Sequence, residues 1–99
     1  MNNKIAVVHT NTYGAGFSTW YTEIPKLAFD KRLVELVYAE EYQRGDTTQV
    51  DAYLWSSYEI GGGDKLTVTF VEKGRPFLIR EYDGFESIIF LDELTIYNR

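Results

Sequence analysis

The chain has 99 residues, a formal net charge of −5, 44% apolar and 16% aromatic residues, and no cysteine. That is one domain with material for a single core and a thin stability margin. The missing cysteines exclude disulfides, thiolate nucleophiles and cysteine-ligated zinc, and the acidic balance argues against a nucleic-acid partner.

A small cysteine-free domain suits a reducing cytoplasm. Met1-Asn2-Asn3-Lys4 leads into a short apolar run, so neither a signal peptide nor a membrane span is expected. Eight tyrosines are more than a core of this size hides, and some should lie at its edge, where ring and hydroxyl suit an interface.

Lys4 to Thr10 is apolar at nearly every position, which predicts an inner strand covered on both faces. Asn11 to Ser18 breaks it with two glycines. Pro25 disfavours helix at Ile24 and allows a short helical turn after it. Asp30 is the expected N-cap of a helix from Lys31 to about Tyr42, with Leu33, Leu36, Val37 and Tyr38 on its stripe and Gly45 as its stop. Thr48 with Asp51 predicts a capping box for a second helix, carrying Val50, Tyr53, Leu54, Ser57 and Tyr58, and Gly61-Gly62-Gly63 should end it. The period then changes to two. Strands are expected from Leu66 to Val71, Phe77 to Tyr82 and Glu86 to Leu91, with Asp83-Gly84 as a type I′ hairpin turn and a short edge at Leu94 to Tyr97. The order β-α-α-β-β-β predicts an α+β two-layer sandwich: a mostly antiparallel sheet that takes in the first strand, with both helices on one face.

Tyr13-Gly14-Ala15-Gly16-Phe17-Ser18-Thr19-Trp20 is the first candidate site. A glycine-rich loop after a buried strand can cradle a phosphate on its amides, with Ser18 and Thr19 adding hydroxyls and Tyr13 and Trp20 stacking. The dinucleotide fingerprint and the P-loop are both absent. The simpler reading gives Gly14 and Gly16 special backbone angles and lets Phe17 and Trp20 anchor the loop. Arg80-Glu81-Tyr82-Asp83-Gly84-Phe85-Glu86 gathers three carboxylates that could bind a cation or run acid–base chemistry, although structural use is the favoured reading. His9, the single histidine, stands at the strand end as a possible base, again with a structural role favoured; Asn11 follows it into the turn. Trp55 falls off its helical stripe, as an exposed contact residue or as packing under the loop. These residues suggest no metal, no cofactor and no catalytic set.

Lys4 to Trp20 and Phe77 to Ile88 together resemble the two signature stretches of a family of small uncharacterised proteins of tailed bacteriophages and some large DNA viruses. One stretch is a hydrophobic strand with a Tyr-Gly-x-Gly-Phe/Trp turn, the other an Ile-x-Glu-Tyr-Asp-Gly-x-Glu motif. The match covers about a third of the chain. It implies an accessory protein of the host-cell cytoplasm that binds a host protein, a defence component among the candidates. It also implies that the two turns share a surface, if the first strand lies beside Phe77 to Tyr82. Two alternatives stand beside it: a nucleotide-signal binder using the Tyr13–Trp20 loop, and an enzyme using His9, Glu81, Asp83 and Glu86. A homodimer is compatible with each.

Overall fold

A computed structural model describes residues 3–43 and 46–93. Strand β1 (Lys4–Thr10) is followed by a 3₁₀ turn at Leu27–Phe29, helix α1 (Lys31–Gln43) and helix α2 (Thr48–Tyr58). Strands β2 (Leu66–Glu72), β3 (Phe77–Tyr82) and β4 (Phe85–Phe90) complete the α+β fold in the expected order. The Gly45 stop, the Tyr42 side chain and the Leu94–Tyr97 edge fall outside the described residues. No helix among the described residues is long and apolar enough to cross a membrane.

The strands form two antiparallel ladders instead of one sheet: β1 with β2, and β3 with β4. The first strand therefore lies beside Leu66–Glu72 and not beside Phe77–Tyr82. The alternation of side chains decides how the ladders pack. Val8, with Leu66 and Val68 of β2, joins Leu33, Leu36, Val37, Val50 and Leu54 of the helices. Val7 and Ile5, one pleat away, meet Phe77, Ile79, Ile88 and Phe90 of the second hairpin. The β1–β2 ladder is thus covered by both helices on one face and by the β3–β4 hairpin on the other, which is why β1 is apolar at nearly every position.

Asp30 caps α1 through the Leu33 N–H, 3.1 Å from Oδ1. Its other oxygen accepts from the Tyr53 and Tyr58 hydroxyls, which ties the start of α1 to α2. Burial pushes Asp30 upward, but hydrogen bonds from Tyr58, the Leu33 amide and Tyr53 outweigh it and hold the carboxyl below its ordinary value. Burial and the same carboxylate push both phenols up. Leu33 and Leu54 are completely buried, each contributing about 2 kcal/mol, so these short helices depend on their packed face more than on propensity.

The ends of α2 differ from the expectation. Thr47 is the N-cap, and the first amides are satisfied from further away: Asp46 accepts from Thr48, and Glu40 of α1 accepts from Gln49 and Val50. Asp51 accepts instead from Thr47 Oγ1 and the Gly63 N–H, so no capping box closes. At the other end Glu59 adopts the left-handed conformation (φ 58°) and its N–H bonds back to Leu54 and Trp55, stopping the helix before the glycines begin.

Candidate functional site

The first turn and the second hairpin meet at the Thr10 end of β1. Asp83 and Gly84 both have positive φ, 51° and 89°, as a type I′ turn requires. The Gly14 N–H donates to Asp83 O at 2.8 Å. A Cβ on Gly84 would stand 2.9 Å from Ala15 Cα and nearer still to its nitrogen, so the two backbones touch where only glycine fits.

Two carboxylates hold this junction. Phe77, Ile79 and Glu81 share one face of β3, opposite Phe90, Ile88 and Glu86 of β4, so both glutamates end the apolar face of the hairpin. Like charges directly opposed are unfavourable unless each has its own donors. Glu86 is 0% exposed. Its Oε1 accepts the Thr10 N–H at 2.9 Å, and its Oε2 accepts the Phe17 N–H at 2.9 Å, the Thr19 N–H at 3.1 Å and the Thr19 hydroxyl at 2.5 Å. Thr10 returns the contact: its Oγ1 accepts the Glu86 N–H and donates to Gly84 O. Glu81 accepts the Gly84 N–H at 2.8 Å and the Trp20 side chain, and in that order these donors hold it below the ordinary glutamate range.

The loop is therefore an anion cradle filled by the chain's own carboxylate. Two backbone N–H groups and a hydroxyl of the loop converge on Glu86 Oε2, as they would on a phosphate oxygen, and the Thr10 N–H of β1 holds Oε1. Glu86 is accordingly a buried tether, which corrects its place among contact residues. Gly16 and Phe17 are buried as well; the Trp20 ring lies over Gly16 where a side chain would stand. His9 is 7% exposed, and both ring nitrogens are engaged: Nδ1 donates toward Thr10 O and Glu86 O, and Nε2 meets Thr69 Oγ1 at 2.6 Å. It joins β1, β2 and β4 as a bridge between the two ladders.

Other candidates stay at the surface. Asn11, Tyr13, Gly14, Trp20, Arg80, Glu81, Tyr82 and Asp83 are exposed, and Ser18 and Thr19 are half-buried. Tyr13 packs edge-on against Tyr82 (6.4 Å between centroids) and tilts against Phe85 (5.2 Å). Trp55 is exposed on α2 instead of packed under the loop. A cavity of about 230 Å³ lies on the inner side of the loop, lined by Thr10, Gly16, Phe17, Gly62 and Lys65, and no residue of Arg80–Glu86 lines it. Among the described residues, no group of three His, Cys, Asp or Glu side chains is arranged to hold a metal ion.

Thr10 is the member of this junction that sequence reasoning missed. One signal was available for the tether: Glu86 lies in phase with Ile88 and Phe90, so a strand with one apolar face places a carboxylate inside. No family model matches the chain, and neither a curated protein nor a solved structure matches it.

Proposed function

We propose that the chain is a protein-binding module that docks a partner where the first turn meets the tip of the β3–β4 hairpin, through Tyr13, Trp20 and Tyr82. The observation that carries the reading is that three large aromatic side chains stay 57%, 49% and 75% exposed on a backbone that is otherwise tightly tied down. Exposed aromatics on a rigid support are the usual anchors of protein contacts, since little side-chain entropy is lost on docking. Glu81 and Asp83 beside them favour a partner segment with Lys or Arg, whose cations also suit aromatic faces. The resemblance of these same two turns to phage proteins supports a host protein as the partner, and a modulating accessory role in the host cytoplasm. The nucleotide reading of the Tyr13–Trp20 loop loses support, because Glu86 already holds its amides.

The test places a photo-crosslinking amino acid at Tyr82, and separately at Trp55, in a bacterial host lysate. One discrete adduct from position 82 is expected, competed by excess unmodified chain and not by a Tyr13→Ser/Tyr82→Ser chain. Equal adducts from both positions, or competition by the double variant, would overturn the reading. An adduct with a second copy of the chain would replace the host partner by a homodimer.

A further inference from the structure

The opposite end of β1 carries a different kind of site. A groove of about 560 Å³ opens between the start of β1, the 3₁₀ turn and the start of α1. Ile5, Ala6, Phe29 and Val34 make its apolar wall. Lys4, Lys31 and Lys73 line it too, three of the five lysines in a chain of net charge −5. They come from β1, α1 and the turn after β2, and the Lys73 N–H holds that turn on Asn3 O at 2.7 Å. Among the described residues, none of the three ammonium groups forms an ion pair. Glu35, the one carboxylate in the lining, is paired with Arg32 at 3.2 Å.

We propose that this groove binds a multiply charged organic phosphate with a planar ring, a ligand of the nucleoside polyphosphate class. Three cations with no ion-pair partner among the described residues line one concavity, with Glu72 across the ladder from Lys4, and concentrate positive charge there against the sign of the whole molecule. A ligand with several negative charges complements that charge; a monoanion complements little of it. The Phe29 ring is 47% exposed beside the lysines and rests edge-on against Phe77, so one aromatic face is available for a base to stack on. The volume lies within the range of small-molecule sites, roughly 300–1,000 Å³.

The test titrates the full chain with ATP and with sodium tripolyphosphate by calorimetry. Saturable ATP binding is expected, weakening about tenfold as NaCl rises from about 50 to about 300 mM, because exposed ammonium groups are screened. The Lys4→Gln/Lys31→Gln/Lys73→Gln chain should lose about tenfold or more in affinity for both ligands. Phe29→Leu should weaken ATP alone and leave tripolyphosphate unchanged. Tyr82→Ser should leave both unchanged, so failure here is distinct from failure of the hairpin-tip surface. No ATP binding at about 1 mM, which is weaker than about −4 kcal/mol of affinity, overturns the proposal. So does undiminished ATP affinity in a folded triple variant, or binding of laurate in place of ATP. Should the triple variant not fold, amide shifts induced by ATP in the unmodified chain decide: changes at Ile5, Ala6 and Val34 support the site, and changes confined elsewhere overturn it.

Discussion

The two ends of β1 handle negative charge in opposite ways. At the Thr10 end, amides of Thr10, Phe17 and Thr19 converge on the Glu86 carboxylate. The anion is built in, buried and surrounded by donors. At the Lys4 end, three lysines from separate elements line an open groove with no ion-pair partner among the described residues. Donors with a private acceptor hold a fold together, whereas cations left facing solvent are available to a ligand. A glycine-rich loop is thus poor evidence for phosphate binding until the destination of its amides is known.

The comparison can be broken most directly at Glu86. Glu86→Ala removes the acceptor of four donors in a largely buried site and should cost on the order of 4 kcal/mol, read as a lower urea midpoint. A loss under about 1 kcal/mol would mean that the tether is incidental. Gly84→Ala should cost about 2–3 kcal/mol, because its Cβ meets the Ala15 backbone at a positive φ. Thr19→Val removes one of four donors to Glu86 and should cost about 1–2 kcal/mol, with the amides still in place.

Acid tests the exposed tether. Glu81 has a depressed pKa, so its contact with Trp20 contributes above the unfolded value near 4.5 and is lost as pH falls through the lower folded value. In a Trp55→Phe background, Trp20 fluorescence should change below pH 4.5, and Glu81→Gln should remove that titration. The smallest effect is expected at the other end: Lys31→Gln should alter stability by less than about 0.5 kcal/mol, in contrast to Glu86. A large loss there would show that the lysines support the fold.

Much of the local structure was legible from residue order. Asp83-Gly84 specified its turn, Asp30 its cap, and the 3.6-residue stripe on α2 its buried face except for Ser57, which is exposed, because each depends on neighbours within a few residues. The pairing of β1 was not legible: an apolar strand fits beside β2 or β3 equally well on pattern alone. The caps of α2 were missed for a similar reason, since Glu40 reaches them from another helix. Lys4, Lys31 and Lys73 are so far apart in the chain that no motif joins them.

The Tyr13–Trp20 turn shows where the division falls. Sequence by itself determined that a glycine- and aromatic-rich turn follows a buried strand and that a tight acidic hairpin comes late in the chain, since both rest on local backbone chemistry. Only the tertiary structure decided that the second fills the first. The donors of the loop and the acceptor on β4 are about 70 residues apart, and which acceptor a buried amide finds depends on how the β3–β4 hairpin packs against β1, not on the residues beside it.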